Sequence, residues 1–257
     1  MAESQSPAAA GSGRPPLLAA AFDAFLASQG RWAYTEKHVS IGSDGRPRGE
    51  SILRVDPSQP YAQQIVPLKV NGQPPTEKQI KDWAAHNEDV ARRRDENAAS
   101  KTVPEDEAQF RLRVGNHDVT PLLERASVVA EDKTTVTYLV PLRLAGRMDA
   151  PLFDTYRLNV RVNKQQQQFE HATLAQQKPY KIAAGTYSEG VIEIDFARPD
   201  ARFPATPVKR TMLQTNKPLF GKPHPMHEVI ERTDLRRVTP YDERFGVKIG
   251  PLRMLEL

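Results

Sequence analysis

Residues 156–163 alternate strictly between apolar and polar side chains. Successive side chains of a β-strand point to opposite sides, so a period of two predicts a strand with one apolar and one polar face. Residues 136–142 and 191–196 repeat the pattern. Closely spaced strands of this kind predict an antiparallel sheet with one side in water. In the clearest stretch the apolar positions are Tyr156, Leu158, Val160 and Val162.

One segment ahead of these strands is nearly all apolar. Residues 17–27 are rich in alanine and leucine, follow Pro16 and precede Gly30, which predicts a helix. Asp23 is its only charge, so the helix must be largely buried. Together with the alternating strands it predicts an α+β fold. We expect a curved antiparallel sheet, or half-barrel, wrapped around this N-terminal helix.

Local signals predict the remaining elements. Asp44-Gly45 is a hairpin turn signature between two strands, and Thr76 is a suitable N-cap for a charged helix. Between residues 198 and 225 there are six prolines, which predicts interrupted structure. The predicted strands here are 31–39, 51–55, 64–70, 229–238 and 244–249, and the further helices are 77–97 and 120–126.

Composition limits the class of protein. The 257 residues favour one domain over residues 17–257, with a C-terminal extension, behind a disordered tail at residues 1–16. No apolar run approaches the roughly 18 residues of a spanning helix. A net charge of +4 is small for a dedicated nucleic-acid binder. The chain has no cysteine, which excludes thiolate chemistry and fits a compartment such as the bacterial periplasm.

Enzyme motifs are missing from the sequence. It has no Gly-x-Ser-x-Gly elbow, phosphate-binding glycine loop or His-Glu-x-x-His helix. The nearest candidate for a metal site is His224 with His227, a spacing more typical of a surface loop. We therefore expect neither catalysis nor a cofactor. A constellation of distant residues, for example Asp149 or Asp154 near His171, would escape this search.

The apolar face of the sheet leaves two alternatives. An eleven-residue helix is roughly 16 Å long and covers only part of a wide sheet. Either side chains fill the space between helix and sheet, or an apolar cavity remains. A cavity would bind an acyl chain, with about 0.8 kcal/mol from each buried methylene group. The sequence leaves both alternatives open.

The order of elements resembles a known superfamily. A buried helix runs into the aromatic strand Trp32-Ala33-Tyr34-Thr35-Glu36, a return strand ends at Asp56-Pro57, and helical insertions precede a run of strands. Over residues 17–200 this resembles the LolA/LolB-like lipoprotein-localisation factors, which are incomplete β-barrels wrapped over helices in the bacterial envelope. Carriers of that family have an arginine before the proline that ends the second strand, where this chain has Asp56.

The resemblance implies a periplasmic carrier of a lipid, a lipoprotein acyl chain or a similar apolar ligand. Its partners would be a lipid or an acylated lipoprotein, with no nucleic acid and no membrane-spanning helix, and a signal peptide would be absent from this sequence. The alternative is an envelope module that binds or senses another protein without lipid cargo. The residues expected along the ligand are Phe22, Phe25, Trp32, Tyr34, Tyr138, Val140, Leu158, Val160, Ile192 and Ile194.

Overall fold

The computed structural model describes residues 13–100, 111–114, 117–144, 156–182, 185–218, 222–245 and 254–256. Two α-helices are present, α1 (Pro16–Ser28) and α2 (Glu77–Ser100). The strands of the N-terminal half are β1 (Trp32–Ile41), β2 (Pro47–Val55), β3 (Ile65–Val70), β4 (Arg111–Val114), β5 (His117–Pro121), β6 (Ser127–Glu131), β7 (Thr135–Val140) and β8 (Leu142–Leu144). Those of the C-terminal half are β9 (Tyr156–Asn163), β10 (Gln168–Gln176), β11 (Tyr180–Ile182), β12 (Gly185–Ala197), β13 (Thr206–Pro218), β14 (His224–Arg237) and β15 (Met254–Glu256).

The strands form one large antiparallel sheet. Ten of them follow the order β3-β2-β1-β14-β13-β12-β10-β9-β7-β6, and β11 pairs separately with β12. Within the described residues β3 and β6 are edge strands, so the sheet is open. With α1 packed on β9 and β10, this confirms the predicted α+β fold. Neither helix in the described ranges combines the length and apolar character needed to cross a membrane.

Turns and caps follow the local signals. Gly45 has a φ of +74° in the β1–β2 hairpin, a conformation that favours glycine. The first turn of α2 has a capping box: the backbone N–H of Gln79 donates to Oγ1 of Thr76, and that of Thr76 donates to Oε1 of Gln79. Asn87 of α2 is buried and donates to the carbonyl oxygen of Ile65 at 2.8 Å, which holds α2 against β3.

The predicted helix at residues 120–126 is wrong. Thr120 pairs with Arg143 in the ladder between β5 and β8, and only a 3-10 turn follows at Leu123–Arg125. Thr120 and Pro121 belong to β5, which is part of a second, four-stranded sheet in the order β15-β4-β5-β8. Strand pairing has therefore overridden a Thr-Pro signal for a helix start.

The proline-rich segment also differs from its prediction. Thr206–Pro218 is one continuous strand of 13 residues, β13. Pro207 lies where the register to β12 shifts, and Pro218 is the last residue, so neither interrupts regular pairing. The last predicted strand, 244–249, begins in a 3-10 turn at Asp242–Phe245, and residues 246–250 lie outside the described residues. So do residues 1–12 of the predicted tail.

A loop and the C-terminal segment close one end of β1, β2 and β14. Buried Asp56 accepts hydrogen bonds at Oδ1 from the backbone N–H and the hydroxyl of Ser58, at 3.0 and 2.6 Å. Its Oδ2 lies 3.3 Å from the guanidinium of Arg236. Burial acts to raise the pKa of Asp56, but the hydrogen bonds and Arg236 outweigh it and lower that pKa. Ion pairing of Arg31 with Glu243 ties the C-terminal segment to the same end.

Phe169 of β10 lies at the centre of the interior. Its ring is 4.8 Å from that of Phe22, in an edge-to-face arrangement, and 5.4 Å from that of Phe196. We expect Phe169→Ala to lower the free energy of unfolding by about 3–5 kcal/mol, because the cavity would be lined by rings that cannot all collapse. Urea denaturation measures this. Val128→Ala on exposed β6 should change it by less than about 0.5 kcal/mol. Equal effects of the two substitutions would contradict the assigned core.

Asp56 gives a prediction about pH. Because its pKa is lowered on folding, its contribution to stability is present above the unfolded value of about 4 and is lost as pH falls below it. We expect Asp56→Asn to lower the free energy of unfolding by about 1–2 kcal/mol at pH 7, and the variant and the natural protein to converge near pH 2–3. Ser58→Ala should show part of the loss. A difference that stays constant from pH 7 to pH 2.5, in urea denaturation at each pH, would contradict this role.

Candidate functional site

The inner face of the large sheet, defined as the face toward α1, has two chemically different halves. On β7, β9, β10 and β12 the side chains toward α1 are apolar and buried. Strand register aligns them in rows across the sheet, so that Val140, Leu158, Leu174 and Ile192 are neighbours. The next row runs through Tyr138, Val160, Ala172 and Ile194. We call this region the apolar half.

The structure brings eight of the ten expected ligand residues together. They lie in one cluster of packed side chains between α1 and the apolar half, and each is at most 9% exposed. Burial raises the pKa of the Tyr138 hydroxyl, and the nearby carboxylate of Glu131 adds to the rise. Tyr138 is therefore neutral at physiological pH. The eight are Phe22, Phe25, Tyr138, Val140, Leu158, Val160, Ile192 and Ile194.

The other two expected residues lie outside this cluster. Trp32 is buried at the closed end of β1, where its ring meets the edge of Phe203 at 6.1 Å and the guanidinium of Arg237 at 5.5 Å. Tyr34 is only partly buried, and the guanidinium of Arg232 lies 4.6 Å above its ring. Both aromatic rings therefore pack against arginine, away from the apolar half.

The same rows continue into a polar half on β13, β14 and β1. Beyond Ile192 the row passes through Met212 and Glu228 to Ser40. Beyond Ile194 it passes through Arg210 and Ile230 to His38. The change from apolar to polar thus occurs between β12 and β13. An inner face with both chemistries is suited to an amphiphile.

Ion pairs cross the polar half between β1 and β14. The guanidinium of Arg232 donates to a carboxylate oxygen of Glu36 at 3.0 Å, and their side chains are 28% and 15% exposed. Nε2 of His38 lies 3.5 Å from Oε2 of Glu228 without forming a hydrogen bond. The pair of Glu36 and Arg232 compensates the partial removal of its two charges from water.

A cleft of about 300 Å³ lies at the end of β1 opposite to the closed end. The β1–β2 hairpin forms one wall and the first residues of β14 form the other. Ser40 and Glu228, the last members of one inner row, line it. The cleft therefore joins the polar half directly.

Sequence reasoning missed the polar half completely. Glu36 and Arg232 are 196 positions apart and meet only because β14 pairs with β1. Residues 31–39 have strand-forming side chains, but nothing local tells which of them face α1. The useful signal would have been the charges at alternate positions of β14, among them Glu228 and Arg232.

Comparison with known proteins finds similarity in structure but not in sequence. No family model matches the chain, and no curated protein matches it. Among solved structures it is similar to a LolA superfamily protein from Nitrosomonas europaea, with 10% sequence identity and a TM-score of 0.36 over 90% of this chain and 96% of that one. Because both values are low, function has to be argued from the residues of this chain.

The pair of Glu36 and Arg232 yields a measurable coupling. Since both side chains are mostly buried, we expect a double-mutant cycle with Glu36→Gln and Arg232→Gln to give a coupling energy of about 1–2 kcal/mol in urea denaturation. Lys78 and Asp82 on α2 form a matched exposed pair, for which about 0.5 kcal/mol or less is expected. A coupling as small as that of the exposed pair would mean that the polar half is open to water.

Proposed function

We propose that the protein is a non-enzymatic binding protein for a lipid, a lipoprotein acyl chain or a similar apolar ligand, held between α1 and the apolar half. The observation that carries the proposal is a mismatch in size. Ten strands at about 4.8 Å spacing span roughly 48 Å. A 13-residue helix is only about 20 Å long and 10 Å wide. The helix therefore covers the four strands of the apolar half, and the inner face extends beyond it onto the polar half.

The way α1 is attached supports exchange with a ligand. Its single charged residue, Asp23, is exposed, and its buried side chains toward the sheet are apolar, as in Leu18 and Phe22. An acyl chain offers the sheet the same kind of surface. The cluster is closed in this structure, so binding requires α1 to move away from β9 and β10. The acyl chain would then cover the apolar side chains of the sheet that the helix had covered before.

The remaining parts of the proposal follow from this role. The apolar residues of the cluster would supply contact area to the chain, and no cofactor is involved. A bacterial protein of this kind would work in the periplasm and contact the membrane only peripherally. Its partners would be a lipid or an acylated lipoprotein and no nucleic acid. The LolA-like order of elements, noted from the sequence, is in keeping with such a role.

Chain length gives the sharpest test. We expect saturable binding of fatty acids and monoacylglycerols whose affinity rises with each added methylene by about fourfold, the equivalent of about 0.8 kcal/mol. Displacement of a fluorescent fatty-acid probe measures it. Ile192→Ala should weaken binding by about three- to tenfold. Leu213→Ala, on the exposed opposite face of the neighbouring strand, should leave it unchanged.

Circular dichroism on both variants checks that they fold. Organic extraction of the purified protein followed by mass spectrometry adds an independent readout, with a lipid expected in the extract. Failure to recover lipid, together with no displacement of the probe at any chain length, would count against the carrier role.

A second candidate function, binding of another envelope protein, is favoured by one observation. Edge strand β6 is exposed along its whole length, and Val128 and Val129 are each 53% exposed. Unpaired strand edges with apolar side chains accept an added strand from a partner. If no lipid binds, partner recognition at β6 becomes the better account of this chain.

A further inference from the structure

The cleft beside the polar half is lined by charged and polar residues. Its polar lining includes the guanidinium of Arg48, the imidazole of His224, the carboxylate of Glu228 and the hydroxyls of Ser40 and Ser43. Arg48 is exposed, and among the described residues its guanidinium has neither a hydrogen bond nor an ion pair. A volume of about 300 Å³ is at the small end for ligand sites. It suits a polar head group rather than a whole lipid.

The side chain of Arg48 lies against Gly42, in space that a side chain at position 42 would occupy. A Cβ atom on Gly42 would collide with Nε of Arg48 and with Oδ1 of Asp44. Gly42 is buried and Arg48 is exposed, so a side chain at position 42 would push the flexible guanidinium out of this position. The guanidinium places a cation at one wall of the cleft, where it can bind phosphate or another anion.

Glu228 provides the opposite charge on the facing wall. Its side chain is 21% exposed, and its contact with Nε2 of His38 is 3.5 Å long without a hydrogen bond. The carboxylate therefore keeps acceptor capacity for a ligand ammonium group. An anion site at Arg48 and an ammonium site at Glu228, within one cleft, together match a zwitterion.

Strand register also places the cleft in line with the apolar half. One inner row contains Ile192, Met212, Glu228 and Ser40 on four successive strands. Two strand spacings separate Ile192 from Glu228, which is about 10 Å. Met212 lies between them and packs against the core cluster. An acyl chain under α1 that passes Met212 would bring its head group to the cleft.

We propose that the cleft binds the head group of a zwitterionic amphiphile, with its phosphate on Arg48 and its ammonium on Glu228. This inference rests on the proposed function, since the chain of the same molecule would occupy the apolar half. It adds head-group selection to a site that would otherwise recognise only chain length.

The test compares lipids that share one acyl chain. Lysophosphatidylethanolamine carries phosphate and ammonium, lysophosphatidylglycerol carries phosphate alone, and a monoacylglycerol carries neither. We expect the natural protein to bind the first about fivefold more tightly than the second, and the second more tightly than the third. Isothermal titration below the critical micelle concentrations measures all three.

Variants assign the preference to individual groups. Arg48→Gln should remove the advantage of both phospholipids over the monoacylglycerol. Glu228→Gln should remove the advantage of the ethanolamine lipid over the glycerol lipid. Arg46→Gln, the same charge change on an exposed residue of the hairpin outside the cleft, should keep both preferences. Gly42→Ala should act like Arg48→Gln, because it displaces the guanidinium while leaving the charge present.

The remaining outcomes distinguish failure of the head-group inference from failure of the proposed function. If the monoacylglycerol binds with the expected dependence on chain length but head groups make no difference, the inference is overturned and the proposed function stands. If no amphiphile binds, both fail. If glycerophosphoethanolamine, which has no acyl chain, binds as tightly as the lysolipid, the cleft is a site for a free polar molecule and the link to the apolar half is wrong.

Discussion

Burial of α1 against only part of a ten-stranded sheet is the constraint on which the rest of the structure depends. A helix with a single charge must be covered, and the sheet supplies apolar side chains on the strands that α1 reaches. Beyond the strands that α1 covers, the side chains of the inner face must be compatible with water. Apolar side chains there would leave a large patch in contact with water. The change in chemistry between β12 and β13 follows the reach of the helix.

The polar half meets this constraint with paired charges. Arg232 is held by Glu36 from the side and by the ring of Tyr34 from below, so its charge is both neutralised and packed. Such partly buried pairs add little net stability compared with apolar packing. They make this half of the face suitable for polar groups, which an apolar surface would not be.

The parts of the fold that were predictable are those whose signals are local. The alternation at residues 156–163, the apolar run of α1 and the Asp-Gly turn all depend on neighbours in sequence, and each forms as expected. The helix predicted at Thr120 and the interruption predicted around Pro207 were wrong, because pairing with distant strands decides the conformation at both positions. For the site, buried apolar positions could be recognised by periodicity. The rows that join Ile192 to Glu228 could not, since they exist only through the register of three strand pairs.

The two ends of β1, β2 and β14 differ in a way that bears on binding. At one end Asp56, Arg236 and the C-terminal segment tie the three strands together, and Trp32 is packed between Phe203 and Arg237. At the other end β1 stays paired with β14 up to Ile41 and His227, and the β1–β2 hairpin and the first residues of β14 line the cleft. Pairing along β1 therefore holds the strands of the polar half in register from the closed end to the cleft, independently of the contacts that α1 makes with β9 and β10.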